Sequence, residues 1–385
     1  MPGVRVSRSV VGEEEAAAVA RVIVESGYLG MGSEVQAFES DLKAFLGGRP
    51  EVVCVSAATA ALHLALQACG IGPGDEVLVP TITYVATFQA VSATGARPVA
   101  CDVDPDTAWL DVSDADRRIT NRTRAVLPVH YAGGAGDLDG ARALARDHGL
   151  RVIEDASHAF GCSHNGQLIG ATGDIVCFSF SGTKNITSGE GGAVVTADPV
   201  VAERVRDLRL LGVVRDTDRR FHHQRSWEFD VAEQGWRYHM SDIFAAIGRV
   251  QLRRFATEFR PRRIHLARRY QELLRDVPNV RPLKLQYGPA VPHIFPVFVG
   301  GGKRDRVRAA LAARDIETGI HYKPNHLLSK YDNGSSRLPV AERLYEETLT
   351  LPLHPYLTES QQDMVVETVR AAVAEPLAAT AGGRA

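Results

Sequence analysis

Along the first two thirds of the chain, short runs of aliphatic and β-branched residues alternate with stretches of helical periodicity. Val52–Val55, Glu76–Val79, Pro98–Asp102, Ala125–Val129, Arg151–Glu154, Ile175–Ser179 and Ala193–Thr196 are nearly continuous in apolar character, as expected of strands covered on both faces. Between them, Ala58–Ala68, Tyr84–Ala93 and Leu138–His148 read as helices, and Gly72-Pro73-Gly74-Asp75 and Asp104-Pro105-Asp106 read as turns. This order predicts an α/β fold with a mostly parallel, seven-stranded sheet between helices. Ligands would then bind in the crevice at the carboxyl ends of the strands.

A polar, charged stretch from Arg215 to Asp230 breaks the rhythm, and a helix-rich segment follows from Ser241 to Arg275. A smaller strand–helix unit comes next: Ile294–Val299, Asp305–Ala313, Glu317–His321, then helices at Val340–Glu347 and Glu359–Val373. The expected division is a large unit over residues 1–255, including the N-terminal segment, and a small C-terminal α/β unit over 256–374. The Gly/Ala-rich tail 375–385 is expected to be disordered.

Composition narrows the classes. With 385 residues, 45% of them hydrophobic and 23% charged, the chain can bury a substantial core. A formal net charge of -2 supplies no field for nucleic acid or an anionic membrane. No segment reaches the roughly 18 apolar residues of a membrane span, and Glu13-Glu14-Glu15 stands where a signal peptide would be apolar. Five scattered cysteines without a C-x-x-C pair point to a reducing, cytoplasmic setting. His321, His326 and His354 lack a cysteine or carboxylate at ligand spacing, so no metal site is expected. Gly300-Gly301-Gly302-Lys303 fails as a phosphate loop, because Val297 and Arg304 occupy its required glycine and hydroxyl positions.

The candidate chemistry gathers at strand ends. Lys184 follows Ile175–Ser179 and precedes the flexible turn Ser188-Gly189-Glu190-Gly191-Gly192; a lysine partly withdrawn from water becomes nucleophilic near neutral pH. Asp155 closes the run Arg151–Glu154, where a buried carboxylate needs a cationic partner unless it merely caps the next helix. Ser56-Ala57-Ala58-Thr59 joins a strand to a helix and can present free amides to an anion; Ser179 can add a hydroxyl. Tyr84 can supply an aromatic face and His158 a hydrogen bond. Pyridoxal 5'-phosphate (PLP) requires such a set: a lysine, a carboxylate for the pyridine nitrogen, a phosphate cradle and a ring face.

These segments resemble one family in sequence, order and spacing. Ser56–His63, Pro80–Thr87, Glu154–Ala159, Ser179–Asn185 and Gly189–Gly192 are similar to motifs of the sugar aminotransferases, the DegT/DnrJ/EryC1/StrS family. The resemblance runs from Ser26-Gly27-Tyr28 to Leu351-Pro352-Leu353-His354-Pro355. It implies a fold-type I PLP enzyme, a homodimer with shared active sites, which passes an amino group from L-glutamate to a nucleotide-linked keto-sugar through the PLP and PMP forms. It matches Lys184 to the Schiff-base lysine, Asp155 to the pyridine-nitrogen partner and His158 to the ring-hydroxyl contact. Tyr84 matches the stacking aromatic, and Ala58, Thr59 and Ser179 match the phosphate contacts.

One segment departs from the pattern. Gly235-Trp236-Arg237-Tyr238-His239-Met240 places Arg237 where the family often has an asparagine that reaches the neighbouring subunit's phosphate; arginine could bind phosphate there, or the substrate diphosphate, by a charge-assisted fork. Tyr28, Arg219, Arg220, His321 and Tyr322 are the candidate substrate contacts, with Arg225 completing the basic cluster that begins at Arg219. A dTDP-4-keto-6-deoxyhexose is the expected acceptor, with a scyllo-inosose-type cyclitol as the alternative. A sugar dehydratase on this fold would carry histidine in place of Lys184, and a non-catalytic regulator would show damage among Lys184, Asp155, Thr59 and Ser179.

Overall fold

The computed structural model describes residues 3–224, 227–332, 334 and 337–375. Arg225 and the tail from residue 376 onward lie outside the described residues.

All seven expected strands form one sheet: β1 (Glu51–Val55), β2 (Glu76–Pro80), β3 (Arg97–Cys101), β4 (Thr123–Val126), β5 (Arg151–Asp155), β6 (Ile175–Ser179) and β7 (Gly192–Thr196). Their order is β1-β7-β6-β5-β4-β2-β3. Only β7 runs against the rest, pairing antiparallel with both β1 and β6. The residues of β2, β6 and β7 are buried throughout, which explains why those strands read as unbroken apolar runs. The helix Ala58–Ala68 packs over β6 and β7 and buries Leu62, Leu64 and Leu66. Each such leucine contributes about 1.5–3 kcal/mol of burial.

A second, three-stranded antiparallel sheet is built from β8 (Val280–Pro282), β9 (Phe295–Val299) and β10 (Thr348–Leu351). Helices Arg260–Leu274, Arg304–Ala313 and Glu359–Ala374 accompany it. Helical backbone continues from Asp242–Arg254 through a π-turn at Phe255–Phe259 into Arg260–Leu274, so residue 255 lies within a helical run. The N-terminal strap touches elements around both sheets. Val4 bridges Ile316, and the Val6 carbonyl accepts from the Leu353 amide. Further along, the Ser9 hydroxyl donates to the Gly182 carbonyl and Gln251 Nε2 donates to the Val10 carbonyl.

Three expectations need correction. Glu317–His321 is not a strand; its neighbourhood makes only the lone bridges Val4–Ile316 and Gly319–Thr350, and β10 completes the small sheet instead. β4 begins at Thr123 and stops at Val126, ahead of Pro128, which has no amide to donate to a ladder, and Val129 makes only an isolated bridge to Asp155. The helix expected from Tyr84 starts at Val85, with Tyr84 as its N-cap.

Candidate active site

A cavity of about 390 Å³ opens at the carboxyl ends of β1, β5 and β6. From around the large sheet it receives Ala58, Thr59, Tyr84, Asp155, Ser179 and Lys184, and from around the small sheet His293, His321 and Tyr322.

Lys184 stands in the loop that turns β6 back into β7. Phe180 N donates to the Gly191 carbonyl and Ser188 N to the Phe180 carbonyl, closing the loop on itself. The next residue, Asn185, is buried and donates to the carbonyls of Phe160 (3.1 Å) and Val291 (3.2 Å). Lys184 is partly exposed along the cavity wall, yet the protein around its amine pushes the pKa down to about 8. Burial is the main cause, with Asp155 pulling the other way. Its amine lies 3.3 Å from His293 Nε2.

Asp155 ends β5 and is buried. One carboxylate oxygen accepts from the Thr87 hydroxyl at 2.8 Å, and the other from the Ser157 amide at 3.0 Å. Thr83 extends the hydroxyl chain, its Oγ1 lying 2.8 Å from that of Thr87. Among the described residues Asp155 forms no ion pair, and it faces the cavity. A buried carboxylate supplied with neutral donors and no cation suits a cationic guest.

At the opposite wall, the helix Ala58–Ala68 starts without a side-chain cap. Its first closed bond runs from Ala61 N to the Ala57 carbonyl, leaving the amides of Ala58 and Thr59 free at the cavity edge. Uncapped amides and the helix dipole together favour an anion. Close approach depends on Gly192: a Cβ there would sit 2.7 Å from both the carbonyl carbon of Ala57 and the nitrogen of Ala58. Ser179 lies on the same cavity wall with Ser181 and Thr183.

Three imidazoles line the remaining side. His158 Nδ1 accepts from the Ala132 amide at 3.4 Å, so its proton resides on Nε2 and points to the Tyr322 oxygen 3.2 Å away. Tyr322 thereby keeps its own O–H for the cavity. His321 Nδ1 lies 2.8 Å from Thr350 Oγ1. Burial, reinforced by the Lys184 charge, holds His158 and His293 well below the usual histidine range and His321 at about 4. All three are neutral at physiological pH. Among the described residues no group of three or more His, Cys, Asp or Glu could hold a metal ion. Tyr84 is 60% exposed at the rim, its ring 5.8 Å from that of Tyr322.

A lysine, an unpaired carboxylate, an uncapped helix N-terminus and a tyrosine face therefore meet in one cavity, and this set fits PLP. Four of the candidates lie elsewhere. Tyr28 stacks on His223 at 4.4 Å, Arg220 pairs with Asp216 at 2.7 Å, and Arg219 and Arg237 are exposed; none lines the cavity of this chain. His293, Thr87 and the steric role of Gly192 were not singled out from the sequence. His293 in particular carries no local signal beyond a polar residue ahead of an apolar strand. A larger, open depression of about 1100 Å³ around Trp109 and Lys284 holds none of the candidate residues.

The profile of the DegT/DnrJ/EryC1/StrS aminotransferase family matches residues 10–370. The spore coat polysaccharide biosynthesis protein SpsC of Bacillus subtilis (strain 168) is 37% identical over 374 residues, 94% of this chain and 95% of that protein. The crystal structure of the aminotransferase TlmJ from Streptoalloteichus hindustanus superposes with a TM-score of 0.89 at 37% identity, covering 97% of this chain and 99% of that one. Spr1654 from Streptococcus pneumoniae, solved in a PLP form, gives 0.88 at 29% identity over 96% of this chain and 98% of that one.

Proposed function

The chain belongs to the DegT/DnrJ/EryC1/StrS aminotransferase family and is a PLP-dependent sugar aminotransferase, and we propose that it moves an amino group from L-glutamate to a nucleotide-linked keto-sugar, with a dTDP-4-keto-6-deoxyhexose as acceptor. The observation that carries the reading is the pairing, in one cavity, of a lysine whose amine is held near pKa 8 with a buried carboxylate that has no ion-pair partner among the described residues.

Bound in the cavity, PLP supplies an electron sink for the pair left on a substrate carbon when its proton departs. Lys184 anchors the cofactor and, once displaced by the amino donor, uses its amine to take the proton from the donor's α-carbon and return one to the acceptor carbon. Asp155, oriented by Thr87 and Ser157, keeps the pyridine nitrogen protonated. The free amides of Ala58 and Thr59, with the Thr59 and Ser179 hydroxyls, take the phosphate. Tyr84 covers the ring and His158 meets its hydroxyl; His321 and Tyr322 face the sugar.

Tyr28, Arg219, Arg220 and Arg237 serve the neighbouring active site of a homodimer. Their place outside the chain's own cavity supports this, as do the exposed apolar side chains Leu211, Val214, Trp227 and Phe229 in the same region of sequence. No helix among the described residues is long and apolar enough to cross a membrane. The five cysteines are free thiols, which supports a cytoplasmic setting.

The test is a panel of keto-sugar nucleotides and scyllo-inosose with L-glutamate as donor, followed by 2-oxoglutarate release and by NMR of the product. Amination of a dTDP-4-keto-6-deoxyhexose at C4 is the expected result. Turnover of the cyclitol alone would replace the nucleotide-sugar reading.

A further inference from the structure

We propose that His293 is a positioning residue that grips the uncharged, reactive form of the Lys184 amine. The inference rests on Lys184 being the cofactor lysine. His293 Nε2, at 3.3 Å, is the hydrogen-bonding partner of the Lys184 amine among the described residues.

The histidine is itself fixed. It is buried immediately before β9, and its ring packs 4.5 Å from that of His158. Arg263, buried in the helix Arg260–Leu274, donates to the main-chain carbonyls of Pro292 (3.3 Å) and His293 (3.2 Å). The imidazole is thus clamped through its backbone on one side and its ring face on the other. Lys184, by contrast, is a long side chain with four rotatable bonds, and a buried partner restrains where its amine can sit.

The tautomer follows from what His293 lacks. Its Nδ1 is enclosed and has no hydrogen-bonding partner. A proton there would be an orphaned buried donor, a rarer and costlier defect than an unused lone pair. The proton therefore sits on Nε2, and the hydrogen bond runs from His293 to the lone pair on the lysine nitrogen. An ammonium group has no such lone pair, so this contact forms only with the neutral amine. The depressed pKa of Lys184 agrees in direction. His293 comes from around the small sheet and Lys184 from around the large one, so the reactive amine is aligned only when the two are packed together.

The experiment compares His293→Asn with His293→Gln. The glutamine amide reaches the position of Nε2, whereas the asparagine amide stops near that of Nδ1; both stay polar, and thermal unfolding checks that each folds. The first readout uses apoprotein: the rate at which added PLP is captured, seen as the rise of its visible absorbance. His293→Asn should slow capture about 10- to 100-fold, the cost of misplacing a reacting group by about 1 Å. His293→Gln should stay within about threefold of the unsubstituted protein. In the holoenzyme, kcat should fall in the asparagine variant with the glutamate KM little changed. A second measurement needs no variant: 15N NMR of histidine in the apoprotein at about pH 9, where the Lys184 amine is mostly neutral, should show His293 as the neutral tautomer protonated at Nε2.

Capture by His293→Asn at the unsubstituted rate, glutamine as slow as asparagine, or an Nδ1-protonated His293 would each overturn the proposal. The reading of Lys184 fails separately: borohydride reduction would then leave PLP covalently attached in Lys184→Ala.

Discussion

Thr87 donates its hydroxyl hydrogen to Asp155 at 2.8 Å, across the gap between a helix and the tip of β5. The bond fixes the orientation of a carboxylate that, among the described residues, otherwise accepts only the Ser157 amide. Thr87→Val keeps the shape of the side chain and deletes the donor. A hydrogen bond to a charged group contributes about 1.5–3 kcal/mol, so the apparent Kd for PLP should rise roughly 10- to 100-fold. Titration of apoprotein by absorbance measures it, and an unchanged Kd would show that Asp155 does not depend on this bond.

The pH dependence of cofactor capture follows from Lys184. Burial disfavours the ammonium form and lowers its pKa from 10.5 to about 8. The amine is therefore mostly protonated at about pH 6.5 and mostly neutral by about pH 9, whereas an ordinary lysine would be protonated at both. PLP capture by the apoprotein should climb through pH 8 and level off above it. A rate still rising tenfold per pH unit between pH 9 and 10 would assign Lys184 an ordinary pKa.

Gly192→Ala tests the phosphate cradle. The new Cβ would meet backbone atoms of Ala57 and Ala58 at 2.7 Å, and backbone cannot swing aside as a side chain can. The helix terminus must shift, and PLP affinity should drop by about tenfold or more, a loss of about 1.4 kcal/mol. Pyridoxal, which lacks the phosphate, should lose much less. Equal losses for both ligands would place the damage outside the cradle.

A stability prediction concerns the buried pair beneath β1. Arg209, fully enclosed, donates to Glu39 at 2.5 Å and to the Cys54 carbonyl at 2.6 Å, while Glu39 also accepts from the Cys54 amide. Glu39→Ala strands the guanidinium without its counter-charge and should cost about 3–5 kcal/mol. Urea denaturation of the apoprotein provides the readout; a cost below about 1 kcal/mol would mean that water or another acceptor takes over.

How far the sequence reaches depends on whether a residue's surroundings are local. Lys184, Asp155, Ser179 and Thr59 could be picked out because each sits where a strand ends or a helix begins, and those ends are visible as changes of periodicity. The large sheet was legible for the same reason. His293 was not: its importance comes from a meeting with a residue 109 positions away, and no spacing rule encodes that. Glu317–His321 misled for a related reason, since alternation of Ile316, Thr318 and Ile320 signals a strand face but not whether a partner strand lies beside it. Tyr28 and Arg237 entered through resemblance and Arg219 and Arg220 as a local basic cluster, and a single chain keeps all four away from its own cavity.

The position of β7 between β1 and β6 has a consequence for the order of folding. The phosphate cradle pairs the end of the first strand of the sheet with the beginning of the last, so it exists only once the most distant contacts in the sheet have closed. Contacts of that sequence separation carry the largest loop-closure penalty and form late. PLP therefore recognises the completed sheet and nothing earlier. Added during refolding, it should leave the folding rate unchanged while slowing unfolding, acting as a lock on the finished molecule rather than as a template for its assembly.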